Sequence, residues 1–320
     1  MDRALGLAAS VRGSTSPNPW VGCVLETADG RVFEGATAPP GGPHAEAAAL
    51  ALAGPAAAGS TVWITLEPCS HHGRTPPCAD ALVDAQVRRV VVALEDPDGN
   101  VSGRGIERLR SGGVEVEIGL RADQSRELLA PYLKHRTTGR PWVVLKLASS
   151  IDGRTAAPDG TSRWITGDDA RADVHRLRAE SDAVIVGAGT VRADDPSLTV
   201  RHVDGPDPLR VVLGRAPAGS KVHPALELTG KPDEILDELG ARGVLQVLIE
   251  GGATVAGDFH RAGLVDRYVL YIAPVLFGGD DGRGLLAGAG AGTIADVWRG
   301  RIVSVEQLGD DLRVELAGDR

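Results

Sequence analysis

One histidine, one glutamate and two cysteines lie at spacings that suit a catalytic metal site. His44 and Glu46 are two positions apart, and eight residues separate Cys69 from Cys78. A catalytic zinc takes three protein ligands so that the fourth position stays open for water, whereas a structural zinc is closed by four. His44, Cys69 and Cys78 therefore predict a Zn2+ ion with an open position. Glu46 is near enough to take a proton from a water molecule there and pass it to a leaving amine.

The order of these residues along the chain is typical of one reaction class. His-x-Glu followed by Pro-Cys-x-x-Cys marks zinc-dependent nucleobase deaminases, although here the cysteine spacing is wider. Taken singly, His44 could be a capping or surface histidine and each of the two cysteines a buried thiol. The four residues together predict hydrolytic deamination. Cys23 differs because it lies within a predicted strand and has no partner at a suitable spacing, so we expect it in the core.

Apolar β-rich runs alternate with helical patterns along the whole chain. The first half predicts strands at residues 20–25, 60–66, 88–94 and 114–118, and helices at 44–53, 77–85, 102–110 and 123–135. A polar tract over 134–141 ends in Gly-Arg-Pro. The second half predicts strands at 142–149, 182–187, 209–213, 244–249, 267–273, 301–308 and 312–316, and helices at 168–180, 232–240 and 253–262. This order predicts an α/β protein with two domains, 1–139 and 140–320.

Two glycine-containing turns of the second half each lie between a predicted strand and a helix or loop. They are Gly187–Thr190 and Glu250–Thr254. Glycines at such a turn let backbone amides approach an anion at a helix N-terminus, but short turns of this kind are common and indicate a phosphate site only weakly. No Gly-x-Gly-x-x-Gly motif is present, so the usual dinucleotide-binding fold has no support.

Composition narrows the class of protein. The 320 residues carry a net charge of −9, which disfavours binding to nucleic acid. No apolar run approaches the ~20 residues of a membrane span, and the N-terminus lacks a signal-peptide core. Three cysteines cannot form a disulfide framework and suit a reducing compartment. We therefore expect a cytoplasmic protein that acts on a small molecule, with no nucleic-acid or membrane partner.

Two motifs of the first half resemble a known family. Glu67-Pro-Cys-Ser-His-His-Gly-Arg-Thr-Pro-Pro-Cys78 and Ser16-Pro-Asn-Pro-Trp-Val-Gly22 resemble the zinc loop and the opening motif of the bifunctional deaminase/reductases of riboflavin biosynthesis. The resemblance implies a cytidine-deaminase-like α/β/α sandwich with zinc on His44, Cys69 and Cys78 and proton transfer by Glu46. It also implies that Asn18 contacts the pyrimidine and Arg74 the phosphate. The expected reaction is hydrolytic deamination of 2,5-diamino-6-ribosylamino-4(3H)-pyrimidinone 5′-phosphate to the aminouracil. We expect His71 and His72 to order the loop, since a fourth ligand would close the position that water needs.

Four motifs of the second half resemble the reductase half of the same family. They begin at Lys146 (Lys-Leu-Ala-Ser-Ser-Ile-Asp-Gly), Ser162 (Ser-Arg-Trp-Ile-Thr), Ala193 (Ala-Asp-Asp-Pro-Ser-Leu-Thr-Val-Arg) and Glu250 (Glu-Gly-Gly-Ala-Thr). The resemblance implies a dihydrofolate-reductase-like domain that uses NADPH to reduce the ribosyl group to a ribityl chain. The implied NADPH contacts are Ala148, Trp164, Thr190, Asp194, Gly251, Gly252, Ala253, Thr254, Val255, Ala256 and Gly257. The implied contacts to the aminouracil ribosyl phosphate are Ser162, Arg178, Leu198, Arg201 and Glu250. Lys146, one of four lysines, is our candidate for assisting ribose ring opening, with Asp194 or Glu250 nearby.

The sequence departs from that family at three places. Thr37 stands where members usually carry a histidine, Asp98-Gly99 replaces Asn-Pro after the retained Asp96, and residues 214–240 are predicted to be one strand short. The first two changes affect the rim of the deaminase site. The third borders the adenosine side of the cofactor, so preference for NADPH over NADH is the weakest part of that prediction.

Two other functions compete with this one. A nucleoside or tRNA deaminase with an inert C-terminal domain would release ammonia from cytidine-type substrates and use no NADPH. A ligand-binding regulator with a structural zinc would need a fourth ligand. The acidic charge and the dense motifs of the second half oppose the first alternative, and the three-ligand set opposes the second. Members of the family form homo-oligomers, and we expect a dimer or tetramer.

Overall fold

The computed structural model describes residues 1–70, 76–99 and 101–318. Its internal contacts divide the chain into two units, Met1–Gly139 and Arg140–Arg320, which are described separately. The helices of the first unit are α1 (Asp2–Ser10), α2 (Ala45–Ala53), α3 (Cys78–Asp84), α4 (Arg104–Ser111), α5 (Ala122–Leu128) and α6 (Ala130–Thr138), with a 3-10 turn at Gly54–Ala57. Its strands are β1 (Gly22–Glu26), β2 (Val32–Ala36), β3 (Thr61–Ile64), β4 (Arg89–Val92) and β5 (Glu115–Ile118).

The five strands of the first unit form one mixed sheet in the order β2-β1-β3-β4-β5. β1 is antiparallel to β2 and β3, whereas β3, β4 and β5 are parallel. The carboxyl ends of β3 and β4 therefore lie at the same edge of the sheet. The loop that carries Cys69 and the loop that carries Asp96 begin at this edge.

Helices cover both faces of this sheet, and two glycines permit their close approach. A Cβ on Gly22 would lie 1.9 Å from the Ala4 carbonyl oxygen of α1, and a Cβ on Gly35 would lie 2.1 Å from the Ala45 carbonyl oxygen of α2. Gly35 pairs with Cys23, the neighbour of Gly22 in β1, and successive residues of a strand face opposite ways. α1 and α2 thus pack on opposite faces, and Gly35 seats the helix that carries Glu46.

The second unit contains ten strands and four helices among its described residues, 140–318. Its helices are α7 (Asp168–Ala179), α8 (Ala188–Asp194), α9 (Pro232–Ala241) and α10 (Ala253–Arg261). Its strands are β6 (Trp142–Ser150), β7 (Arg154–Ala156), β8 (Ala183–Gly187), β9 (Leu209–Leu213), β10 (Leu226–Leu228), β11 (Gln246–Ile249), β12 (Arg267–Ala273), β13 (Arg283–Gly284), β14 (Gly300–Leu308) and β15 (Asp311–Gly318).

Eight of these strands form a sheet in the order β10-β9-β8-β11-β6-β12-β15-β14. The first six are parallel, while β15 is antiparallel to β12 and β14. Alternate residues of the central strands enter two cores. One contains Leu145 with Leu236 of α9 and Phe259 of α10, and the other contains Val144 with Leu177 of α7. The sheet is therefore covered on both faces and has its parallel carboxyl ends at one edge.

The structure corrects two predicted elements. The helix predicted over 123–135 is two helices, α5 and α6, which meet at Leu129 because Pro131 in the first turn of α6 cannot continue the preceding hydrogen-bond ladder. The segment 214–240, predicted to be one strand short, contains β10, which pairs in parallel with β9. The sequence patterns also missed α1, β2, β7, α8 and β13. Among the described residues, no helix is both long and apolar enough to cross a membrane.

Candidate functional site

The three predicted zinc ligands come together in the first unit. His44 is the N-cap residue of α2, Cys69 lies in the loop after β3, and Cys78 opens α3. The His44 Nδ1 atom lies 3.4 Å from the Cys78 Sγ and 3.6 Å from the Cys69 Sγ. A tetrahedral zinc with bonds of 2.0–2.3 Å holds nitrogen and sulfur ligands about 3.5 Å apart. One nitrogen and two sulfurs at these separations fit a zinc ion.

The two thiols of this group are not equivalent. Cys69 accepts hydrogen bonds from the Cys78 thiol, from His44 and from the Cys78 backbone N–H, and these lower the pKa of Cys69 to about 4. Cys78 donates to Cys69 and is buried, which raises the pKa of its own thiol. The Cys69 sulfur is therefore a thiolate at neutral pH, and the thiolate is the form of cysteine that ligates metals.

Glu46 lies beside this group on the first turn of α2 and is 4% exposed. Burial, together with the negative charge of Cys69, raises the pKa of Glu46 to about 7. A carboxyl group with a pKa near neutrality can both accept and return a proton at physiological pH. The position and the acidity of Glu46 therefore suit proton transfer next to the metal ligands.

A cavity of about 470 Å³ opens onto His44, Glu46 and Cys69. Asn18, the predicted pyrimidine contact, lines it, as does Thr37. The Thr37 hydroxyl accepts the Val21 N–H at 3.0 Å, so it stabilises the backbone beside the cavity. Arg74, the predicted phosphate contact, lies outside the described residues, as do His71 and His72.

Four polar residues that the sequence analysis did not single out as site residues complete the wall. The buried carboxylate of Glu67 accepts four backbone N–H groups at 2.8–3.2 Å. Asp96 accepts the Tyr132 hydroxyl at 3.0 Å, and Arg136 lies over the Tyr132 ring with 5.0 Å from guanidinium carbon to centroid. Tyr132 and Arg136 are four residues apart on α6, a spacing at which helical side chains meet. That spacing was the one indication in the sequence that Tyr132 and Arg136 contact each other.

Cys23, predicted to be a core thiol, lies fully buried in β1. Burial, followed by the charge of Glu46, raises the pKa of the Cys23 thiol. The prediction is confirmed.

In the second unit the two glycine turns lie side by side. β8 and β11 are parallel neighbours, with Ile249 opposite Ile185, so the turns that follow them meet at one edge of the sheet. A Cβ on Gly251 would lie 2.7 Å from the backbone nitrogen of Gly187. α8 begins within the first turn, at Ala188, and α10 within the second, at Ala253. Two glycine-lined turns that each lead into a helix fit the phosphates of a nucleotide cofactor.

A buried ion pair stands next to these turns. Arg178 of α7 binds Glu250 through two parallel hydrogen bonds, Nε to Oε1 and Nη2 to Oε2, and the two side chains are 11% and 6% exposed. Arg178 also donates to the Thr199 carbonyl at 3.0 Å, and the Arg201 N–H lies 3.0 Å from the His175 Nδ1. The structure thus brings together three residues predicted to contact substrate: Arg178, Arg201 and Glu250.

Lys146 lies on β6, the strand next to β11. Its ammonium is 6.0 Å from the centroid of the Tyr271 ring. Burial lowers the pKa of Lys146, the charge of Glu250 raises it and the charge of Arg178 lowers it. The charge of Glu250 therefore acts on the Lys146 ammonium, in line with the predicted proximity of these two residues. Ala148 lies two residues further along β6 and pairs with Tyr271.

The remaining predicted contacts lie in loops and at helix ends. Arg163, the neighbour of Ser162, donates to the Asp194 carbonyl at 2.7 Å. Trp164 is 70% exposed and stacks near Arg171, 4.6 Å from ring centroid to guanidinium carbon, so it is not a core residue. Leu198 is 3% exposed and packs in the core of the second unit. Thr190 lies near Gly252, and residues 253–257 form the first half of α10.

These features define a class of protein: a zinc-dependent pyrimidine deaminase joined to a nucleotide-dependent reductase. Comparison with family models agrees, since "Cytidine and deoxycytidylate deaminase zinc-binding region" matches residues 1–94 and "RibD C-terminal domain" matches residues 141–314. The chain belongs to the RibD family of riboflavin biosynthesis proteins.

Individual relatives match over nearly the whole chain. The curated riboflavin biosynthesis protein RibD of Mycobacterium tuberculosis is 44% identical over 99% of this chain and 97% of its own, and that of Escherichia coli is 39% identical over 99% and 98%. A solved structure of Acinetobacter baumannii RibD superposes with a TM-score of 0.93 at 41% identity, covering 100% of this chain and 98% of its own. A Thermotoga maritima structure described as a diaminohydroxyphosphoribosylaminopyrimidine deaminase/5-amino-6-(5-phosphoribosylamino)uracil reductase gives 0.90 at 32% identity, covering 100% and 97%.

The protein is accordingly a bifunctional enzyme of riboflavin biosynthesis, a deaminase and a reductase that use zinc and NADPH. The predicted α/β fold with a cytidine-deaminase-like part and a reductase part is confirmed. The alternative of a nucleoside or tRNA deaminase with an inert C-terminal domain is not supported.

Proposed function

We propose that residues 1–139 form the deaminase domain and residues 140–320 the reductase domain, each with its own set of active-site residues. In the deaminase, His44, Cys69 and Cys78 hold the zinc ion and Glu46 moves the protons. The observation that carries this assignment is the buried Glu46 carboxyl beside three ligand atoms that all lie within 4.8 Å of one another.

The deaminase residues divide the reaction between them. Zinc, when bound, supplies a Lewis acid that activates the attacking water. Glu46 takes a proton from that water and returns it to the amino group, which leaves as ammonia while the carbon gains the oxygen. A pKa of about 7 suits both transfers. Asn18, at the cavity wall, orients the pyrimidine ring, and Arg74 binds the phosphate.

In the reductase, NADPH lies along the two glycine turns and supplies hydride to C1′ of the ribose. Its contacts are Ala148, Trp164, Thr190, Asp194 and residues 251–257. Ser162, Arg178, Leu198, Arg201 and Glu250 hold the aminouracil ribosyl phosphate. The pairing of Arg178 with Glu250 supports this assignment because it brings two of these residues together at the end of β11, next to the glycine turns.

We assign Lys146 to ribose ring opening. Its pKa is lowered by burial, which makes proton transfer by its ammonium easier near neutral pH. Ring opening leaves an imine or aldehyde equivalent at C1′, which the hydride reduces to the ribityl chain. Lys146→Met should abolish NADPH consumption while ammonia release continues. Lys221→Met, at a lysine that is 69% exposed, is the control, and full NADPH turnover by Lys146→Met would refute the assignment.

One assay tests both halves of the proposal. Purified, zinc-loaded enzyme is given the diaminopyrimidinone ribosyl phosphate, and ammonia release and loss of NADPH absorbance are recorded in turn. Glu46→Gln should reduce ammonia release by a factor of about 10²–10⁴ while zinc content and aminouracil reduction persist. Glu26→Gln, on the exposed end of β1, should leave both rates unchanged. Normal deamination by Glu46→Gln would remove Glu46 from the mechanism.

We further propose a cytoplasmic homo-oligomer with no nucleic-acid or membrane partner. Support comes from β14, the last strand of the sheet order, on which Ile302 is 64% and Val305 is 55% exposed. An apolar edge strand of this kind favours pairing with another chain. Light scattering should give a dimer or tetramer for the wild type and a smaller species for a variant with both residues replaced by lysine. An unchanged mass would move the interface elsewhere.

A further inference from the structure

The deaminase cavity contains a positive charge to which no role has been given. Among the lining residues that the structure describes, Arg136 is the only arginine or lysine, whereas Glu46, Glu67, Asp96 and Asp98 all present carboxyl groups. The substrate carries a phosphate. We propose that Arg136 is a second group that binds the 5′-phosphate of the pyrimidine substrate, in addition to the contact assigned to Arg74, and that it thereby contributes to specificity for the phosphorylated form. This inference rests on the deaminase cavity assigned above.

Arg136 is held in place by groups that leave its hydrogen-bonding fork available. Its guanidinium carbon lies 5.0 Å from the centroid of the Tyr132 ring, and Tyr132 is itself fixed by its hydroxyl bond to Asp96. Besides the Tyr132 hydroxyl, the described polar partners of Arg136 are the Pro17 carbonyl, 3.4 Å from Nη2, and the Asp98 carboxylate, 3.7 Å from Nε, and both of these separations are long. A guanidinium carries five N–H donors in a planar fork that matches phosphate oxygens.

One end of the cavity is more deeply buried than the other, and this difference favours one orientation of the substrate. Glu46 is 4% exposed, whereas the side chains of Arg136 and Asp98 are 30% and 23% exposed. Glu46 and the zinc ligands lie at the buried end of the cavity, so the bond-breaking step takes place there. A phosphate dianion is costly to bury and stays near solvent. With the pyrimidine at Glu46, the phosphate therefore reaches the open end, where Arg136 lies.

Asp98 is the group that phosphate must displace. Asp98 is the carboxylate paired with the Arg136 guanidinium among their described contacts, and the separation of 3.7 Å indicates a weak pair. An incoming phosphate offers more charge and two oxygens to the same fork. The carboxylate would then repel the phosphate. Asp98→Asn should consequently lower the KM for the phosphorylated substrate.

The test compares substrates with and without the phosphate. Ammonia release by zinc-loaded full-length enzyme is measured with the ribosyl phosphate and with its phosphatase-treated form. Arg136→Ala should raise the KM for the phosphorylated substrate by about 10-fold to 100-fold, with kcat changed less than about twofold. It should leave kcat/KM for the dephosphorylated form unchanged. Arg136→Lys should recover part of the loss, and Arg126→Ala, at an exposed pair with Asp123 on α5, is the matched control.

Three results separate the possible failures. If Arg136→Ala lowers kcat/KM equally for both substrates, Arg136 acts on the protein and the inference is overturned. An unchanged KM for the phosphorylated substrate overturns it as well. If wild-type enzyme releases no ammonia from either substrate, the cavity assignment itself has failed. Should Arg136→Ala not fold, Arg136→Gln takes its place, and inorganic phosphate should inhibit the wild type more strongly than that variant.

Discussion

Glu67 provides a quantitative test of how the zinc loop is held. Its two carboxylate oxygens accept four backbone N–H groups: Oε1 accepts those of Gly105 (2.8 Å) and Ile106 (3.2 Å), and Oε2 those of Asp96 (3.2 Å) and Gly103 (3.0 Å). The side chain therefore ties the start of α4 to the segment that carries Cys69.

Replacing Glu67 with glutamine should weaken this connection strongly. Glutamine keeps one acceptor oxygen and turns an NH2 group toward two of the four donors. Each buried N–H left without an acceptor costs about 1–3 kcal/mol, so Glu67→Gln should destabilise the start of α4 by roughly 2–6 kcal/mol. Loss of the negative charge at the helix N-terminus adds to this cost.

Amide hydrogen exchange measures the effect directly. A local cost of about 2 kcal/mol corresponds to roughly 30-fold faster exchange at Gly103, Gly105 and Ile106. Zinc release to a chelator should be faster too, because Glu67 lies two residues before Cys69. Glu107→Gln, at an exposed position in the first turn of α4, is the control. Wild-type exchange rates in Glu67→Gln would show that these hydrogen bonds do not hold the loop.

Three further predictions concern the second unit. Arg178→Met should cost about 3–5 kcal/mol because it leaves Glu250 buried without its partner, and Arg178→Met combined with Glu250→Leu should recover part of the thermal stability; no recovery would contradict the pairing. Burial, followed by the charge of Arg178, lowers the pKa of His175 to about 4, below the unfolded value of about 6.5. The unfolded chain thus binds the proton first, and stability should fall as pH drops from about 6.5 to 4, by at most about 1.4 kcal/mol per pH unit; urea titrations of His175→Gln should lack this component, and an identical pH slope would refute it. Gly251→Ala should raise the KM for NADPH because its Cβ would lie 2.7 Å from the Gly187 nitrogen, whereas Gly290→Ala, with no atom within 4 Å, should not; equal values would show that the turn can yield.

Much of the deaminase site could be predicted from the sequence because its chemistry depends on residue type. His44, Glu46, Cys69 and Cys78 stand in short motifs next to predicted elements. The structure brings the three ligand atoms together and places Glu46 beside Cys78. The glycine turns after β8 and β11 were also predicted, since glycines follow a predicted strand directly at both places. The residues of such short motifs are neighbours along the chain and therefore remain neighbours in the folded structure.

The tertiary structure decided which side chains lie next to one another. Tyr132 and Arg136 reach the deaminase cavity from α6, far along the chain from Glu46, and Arg178 meets Glu250 across 72 residues. The break between α5 and α6 at Pro131 and the short strand β10 likewise went unpredicted, the first because a helical pattern continued through the proline, the second because three residues give too little periodicity.

The sequence by itself therefore determined the zinc chemistry and the α/β class, because both follow from residue type and from periodicity along the chain. Only the folded chain decided that Glu67 binds the start of α4, that Glu250 is paired, and that a guanidinium and four carboxyl groups line the same cavity. Those features depend on which distant residues the sheet order and the helix packing bring within a few ångströms. No spacing along the chain encodes that distance.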